Sequence, residues 1–271
     1  MTAIQVRQSS PLPPITWEKL PPDFELPDEP VENNLQPLLA AALREALELA
    51  GLILESALIA SNFGICATVG AKTLVKAPDW VYVKSVQPLS EGEVRRSYTP
   101  HVEGEVPAVV MEFISESEGG KYSINPHYPY GKWHFYECIL KIPVYVIFHP
   151  RTGELDVYRL TEGQYKQQVP DENNFYWLEE IGLFLGLWRG KKAEMTATWL
   201  RWWDQSGNLL LWGSEQIDQE RQQVEQERQR AEQERQRAKT AEVALEQERR
   251  LNERLAQKLM ELGVSSEALD G

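Results

Sequence analysis

Two carboxylates and one lysine stand where ordinary surface residues rarely do. Asp79 sits in the run Val75-Lys76-Ala77-Pro78-Asp79-Trp80-Val81-Tyr82-Val83, and Glu112 in Val109-Val110-Met111-Glu112-Phe113-Ile114-Ser115. Both runs are apolar and strand-like, and a charge buried in such company is costly unless it is paired or holds a metal. Lys132 follows at the head of a stretch with helical spacing. Two hard oxygen donors and one fixed cation are the parts that metal-assisted cleavage of a phosphodiester needs. Each residue also has a plainer reading. Asp79, just after Pro78, can cap neighbouring amides at a turn. Glu112 and Lys132 can form a buried ion pair with no metal, and Lys132 can equally be a solvated lysine at a helix start.

Other chemistries find less to work with. Ser115 lacks the Gly-x-Ser-x-Gly elbow of a nucleophilic serine. His101, His127, His134 and His149 show no helical ligand spacing, so they read as surface or satisfied residues. Cys66 and Cys138 stand in apolar stretches without CxxC or Cys/His spacing, which argues for free thiols in a reducing cytosol and against structural zinc. No Gly-rich phosphate loop is present. Trp199, Trp202, Trp203 and Trp212 are able to stack bases. With Arg201 as the only interleaved base, they read instead as core aromatics closing against a hairpin.

The elements that must position these residues follow from periodicity. Residues 1–34 form a Pro-rich arm in which Pro11, Pro13, Pro14, Pro21 and Pro22 forbid regular helix. Leu35, Leu38, Leu39, Ala42, Leu43, Ala46 and Ala50 then recur at helical spacing, predicting an amphipathic helix that ends near Gly51. Strands are expected over residues 56–69, 73–83, 108–115 and 144–148, and a turn at 149–153 leads into a hairpin strand over 154–160. Residues 131–140 read as a helix with Trp133, Tyr136 and Leu140 on one face. Residues 199–212 read as a further hairpin turning at Gln205-Ser206-Gly207-Asn208. This order of helix, strands, helix and strands describes an α/β (α+β) core with a mixed β-sheet flanked by helices, spanning residues 35–213.

Past Ser214 the composition turns to Glu, Gln, Arg and Ala. Ile217, Val224, Ala231, Ala238, Leu245, Asn252 and Leu259 stand seven apart, a heptad ladder over 214–262, followed by a flexible tail at 263–271. The second seam column is Glu220, Glu227, Glu234, Ala241, Glu248, Leu255 and Leu262, so only the C-terminal half has two apolar columns. The segment is expected to be a long helix whose first half is solvated and rich in ion pairs at helical spacing, with residues 245–262 the part suited to pairing as a coiled coil. A homo-oligomer, most simply a dimer, is expected, formed through the core, the tail or both.

Composition bounds the setting. The 271 residues carry 42% hydrophobic residues and nine Trp, enough to bury a sizeable core. No apolar run reaches the roughly 20 residues needed to span a bilayer, and the N-terminus lacks the charged start and apolar stretch of a secretory signal. A cytoplasmic protein that does not enter membranes is expected. The net charge of −13 weighs against nonspecific nucleic-acid binding, which depends on phosphate neutralisation by basic residues. Any DNA contact must then be local.

Ala77-Pro78-Asp79, Val110-Met111-Glu112-Phe113-Ile114-Ser115, Gly131-Lys132 with Tyr136 beyond it, Ile142-Pro143-Val144-Tyr145 and Phe148-His149-Pro150 occur here in an order and spacing that resemble the Uma2 family. That family is abundant in cyanobacteria and is related to the PD-(D/E)XK restriction endonuclease-like fold. The resemblance covers about residues 30–212. It implies a DNA endonuclease in which Asp79 and Glu112, with the backbone carbonyl of Phe113, hold Mg²⁺ or Mn²⁺, a hard cation suited to oxygen ligands. It also implies that Lys132 orients water or binds the phosphate as a point charge. The family pattern places a lysine two residues after the second acid, and here that position is Ile114. Lys132 takes the place that Uma2-like sequences use instead, with Lys121 a less suitable substitute. The resemblance further allows a first-helix acid, Glu45 or Glu48, near the site. A second class of function stays open, a nuclease fold without catalysis that serves as a binding and assembly module through its tail.

Overall fold

The chain is described by a computed structural model over residues 13–19, 34–114, 125–128 and 130–261. Lys121, Ser115, Leu262, the 263–271 tail and most of the Pro-rich arm lie outside the described residues. The chain divides into two units, Met1–Gly213 and Ser214–Gly271.

In the first unit, helix α1 spans Leu35–Leu49. Leu39, Ala40, Ala42, Leu43, Ala46 and Leu47 give it one buried stripe. It stops where Gly51 takes φ +68°, a left-handed conformation that glycine adopts at little cost. The stripe and its end match the expected helix.

Two expected strands are each cut in two. Residues 56–69 resolve into β2 (Leu58–Ala60) and β3 (Ile65–Val69). Between them Asn62 turns the chain at φ +48°, a conformation Asn tolerates better than most residues. Residues 73–83 resolve into β4 (Lys72–Lys76) and β5 (Trp80–Val83), separated at Ala77-Pro78-Asp79, where Pro78 has no N–H to give to a ladder. The halves then enter different sheets. A three-stranded sheet holds β1 (Ile15–Thr16), β3 and β4 in the order β1-β3-β4. A six-stranded sheet runs β2-β5-β6-β7-β8-β9, with β6 at Val109–Phe113, β7 at Val144–His149, β8 at Glu154–Thr161 and β9 at Gln164–Gln167. β6 and β7 are parallel and the other pairs antiparallel, so the sheet is mixed, as the element order implies.

The helix expected over 131–140 opens as α2 (Lys132–His134) and widens into a π-helical turn over Phe135–Leu140. The hairpin expected over 199–212 is a different object. β12 (Met195–Trp203) pairs along its whole length with β11 (Leu183–Lys192), and β10 (Tyr176–Leu178) flanks β11. The expected turn is there at 204–208, but beyond it the return strand is reduced to a Trp203–Leu209 bridge and a hydrogen bond from the Leu210 N–H to the Trp202 carbonyl. The four tryptophans of this region are buried, as core aromatics should be.

Alternation along the central strands separates two cores. Val109, Met111 and Phe113 of β6 pack with α1 and the β10–β12 sheet. Val110 points to the opposite face, which packs against β3, β4 and the Phe135–Leu140 turn. By the period of two, Glu112 belongs to this second face. Helix α3, Gly213–Glu261, supplies the described part of the second unit from Ser214 onward; it has 49 residues with none buried. At 1.5 Å per residue it is about 73 Å long. Among the described residues, no helix is long and apolar enough to cross a membrane.

Candidate functional site

Strand register brings the two acids together. β5 and β6 pair antiparallel with Trp80 opposite Met111 and Val81 opposite Val110. One step further along the same register sets Asp79 opposite Glu112. Facing residues of this kind have Cβ atoms about 5 Å apart, and like charges there destabilise a sheet. Two carboxylates at that separation repel by roughly 3 kcal/mol at an effective dielectric near 20. The surrounding structure compensates. The Phe113 N–H donates to Asp79 Oδ2 at 2.5 Å, so β6 itself tethers the first acid. Lys132 Nζ lies 3.1 Å from Glu112 Oε2, with the glutamate side chain fully buried and the lysine 14% exposed. Tyr136 Oη donates to Glu112 Oε1 at 3.0 Å.

Lys132 and Tyr136 reach one carboxylate because residues four apart share a helix face. Gly131, in extended conformation, leads the chain into Lys132, whose ammonium also donates to the Ala77 carbonyl at 3.0 Å. That carbonyl sits beside the Pro78 break, so the gap between β4 and β5 is what gives the lysine its second anchor. Burial, and next the Glu112 charge, hold the Tyr136 hydroxyl well above its ordinary pKa. It is therefore a permanent donor to Glu112 across the working pH range.

The expected residues thus fall in one place. Asp79, Glu112 and Lys132 meet at the ends of β5 and β6 and the start of α2, and the Phe113 backbone runs beside them. The residue sequence reasoning missed is Gln36. From the first turn of α1, its side-chain amide donates to the Phe113 carbonyl at 2.8 Å, and its side chain is buried. Glu45 and Glu48, the first-helix acids considered from sequence, are engaged elsewhere. Glu45 pairs with Lys192 at 2.5 Å and accepts from the Gly213 N–H, while Glu48 pairs with Arg44. Ile114 packs against the second core, so no lysine serves from that slot. Among the histidines, His134 departs from a satisfied surface residue. Its Nε2 is buried and finds no hydrogen-bond partner among the described residues, its ring stacks on Tyr130 at 5.4 Å, and burial lowers its pKa.

The donor chemistry fits a small hard cation. Two carboxylates and a backbone carbonyl supply only oxygen, and Mg²⁺ commonly takes one or two carboxylates while keeping waters. Among the described residues, no three or more His, Cys, Asp or Glu side chains cluster to hold a metal, so a site with several protein ligands beyond these has no material. A carboxylate offers about four acceptor sites, so it can take a hydrogen bond and a cation together. Residues 24–189 match the family model Uma2, described as "Putative restriction endonuclease". None of the curated proteins matches the chain.

Proposed function

Because the chain belongs to the Uma2 family and has a mixed α+β, restriction endonuclease-like fold, we propose that it hydrolyses DNA phosphodiester bonds with Mg²⁺ or Mn²⁺ held by Asp79, Glu112 and the Phe113 carbonyl. The observation that carries this reading is the placement of Asp79 opposite Glu112 with Lys132 Nζ 3.1 Å from the second acid. When bound, such an ion supplies Lewis-acid charge at the scissile phosphate and makes water easier to deprotonate.

The chain's own residues do the rest. The Phe113 N–H fixes Asp79, and Tyr136 fixes Glu112, so both acids are oriented before any ligand arrives. Gln36 fixes the direction of the Phe113 carbonyl. Lys132 is held beside Glu112 by the Ala77 carbonyl, where it can bind a phosphate oxygen as a point charge or orient the attacking water. With a net charge of −13, DNA is gripped through this local chemistry rather than by the surface as a whole. The free thiols Cys66 and Cys138 support placing the activity in a reducing cytoplasm. Incubating supercoiled plasmid with Mg²⁺ or Mn²⁺ tests the reading. Cleavage by the parent that disappears in Glu112→Ala is expected, and undiminished cleavage by the variant would show the site to be wrong.

A second reading is favoured by the ion pair itself. Lys132 already compensates Glu112, so the same geometry supports a nuclease fold kept as a binding and assembly module. Calorimetric titration with Mg²⁺ separates the two. Binding that is abolished by Asp79→Ala supports the nuclease, and the absence of heat in the parent supports the module.

A further inference from the structure

We propose that α3 pairs in parallel and in register with α3 of a second copy of this chain, forming a two-stranded coiled coil. The inference rests on the tail alone and does not depend on cleavage. Ile217, Val224, Leu245, Leu255 and Leu259 are all exposed on an otherwise polar helix, and none of its 49 residues is buried. Its first seam column repeats every seven residues from Ile217 to Leu259. A strict heptad over this length is the period at which two helices stay in contact by supercoiling to the left.

The charges identify the occupant. The second column holds Glu220, Glu227, Glu234 and Glu248, and each is followed at once by an arginine: Arg221, Arg228, Arg235 and Arg249. Neighbours one apart do not face each other on their own helix. In a parallel pair, however, a second-column residue faces its own counterpart and packs beside the next position of the opposite helix. Glu227 then faces Glu227 of the second copy, and Arg228 of each helix flanks the glutamate of the other; the same holds at the other three steps. Each such layer is a cluster of two carboxylates and two guanidiniums, so the arginines a copy supplies neutralise the facing glutamates.

Asn252 fixes the direction. It is the one polar residue in the first column, and a single Asn there specifies register and pairing in two-stranded coils at some cost in stability. Parallel strands set Asn252 against its own counterpart, where each amide can donate to the other. Antiparallel strands set first-column residues against second-column ones and separate the two amides. A parallel coil brings the N-termini of both α3 helices to the same end, whereas an antiparallel one paired along its length would set them about 70 Å apart.

Light scattering on the full chain, together with oxidative cross-linking, tests this. Twice the chain mass is expected for the parent, and one chain mass for the double variant Leu255→Glu, Leu259→Glu. Val224→Cys, in the seam, should form a covalent dimer on oxidation, while Gln222→Cys, on the outer face, and the parent with its two native thiols should not. A parent of one chain mass overturns the proposal. So does a dimer that survives the double variant, and so does cross-linking through position 222 as readily as through 224.

Discussion

Removing the lysine from the site while leaving its glutamate gives the sharpest test of the electrostatics. Lys132→Met keeps most of the side-chain volume and deletes the ammonium. Glu112 is then left fully buried, with Tyr136 and without its cation. At 3.1 Å the lost attraction is about 5 kcal/mol at an effective dielectric near 20. Breaking one side of a buried pair costs about 3 to 5 kcal/mol in practice. For a unit of this size each kcal/mol lowers the melting temperature by about 2–4 °C, so a fall of at least about 6 °C is expected. Urea denaturation followed by fluorescence of the nine tryptophans measures the loss of free energy, and a thermal melt the fall in melting temperature. Adding Glu112→Gln to Lys132→Met removes the buried charge and should restore at least about 2 kcal/mol, a coupling of the size found between touching residues. If the acids hold a cation, Mg²⁺ should stabilise Lys132→Met by about 2.7 kcal/mol at a hundredfold excess over its dissociation constant, and the parent by less at the same concentration. A single-variant loss below about 1 kcal/mol would refute the reasoning, because Glu112 would then be compensated by something other than Lys132.

Three further outcomes are expected. Gln36→Leu removes one hydrogen bond to the Phe113 carbonyl and should lower the urea-derived stability by about 0.5–1.5 kcal/mol, the net worth of a single hydrogen bond. Gly104→Ala should destabilise the 84–106 loop by about 2 kcal/mol or more in thermal melts. A Cβ there would lie 2.5 Å from the Ser85 carbonyl and 2.7 Å from Tyr98 Oη, at φ +149°. Burial pushes the Cys66 thiol up from 9.0 to about 11, so its neutral form is favoured in the folded chain. Stability from this group is complete below pH 9 and falls as pH rises through 11, by roughly 3 kcal/mol. Cys66→Ala should flatten that part of the stability profile, measured as urea midpoints from pH 8 to pH 11.

Much of the site is legible because strand chemistry is local. Asp79 and Glu112 announce themselves as acids in apolar runs, and the Lys132-to-Tyr136 spacing is a property of one helical turn. Their meeting is not local. It depends on β5 pairing with β6 so that Trp80 faces Met111, a register set by the burial of alternate residues and not by any residue at the site. Gln36 escaped notice although it carried a signal, since it lies on the stripe of Leu39, Ala40 and Leu43, where a polar side chain needs a buried partner. The continuous apolar runs at 56–69 and 73–83 concealed their breaks because Asn62 and Pro78 act through backbone conformation and a missing donor, which hydrophobic pattern does not register. β11 was hidden for a different reason. Gly186 and Gly190 make room for the Phe175 and Trp188 rings, and with Arg189, Lys191 and Lys192 they interrupt the apolar alternation that marks a strand.

The central claim is that Asp79 and Glu112 together hold a divalent cation. Crystals soaked in Mn²⁺ and measured at the manganese absorption edge test it most directly. An anomalous peak between the two carboxylates, within bonding distance of the Phe113 carbonyl and absent in Asp79→Ala crystals, is expected. A site without such a peak, with Lys132 still paired to Glu112 at saturating Mn²⁺, would contradict the claim.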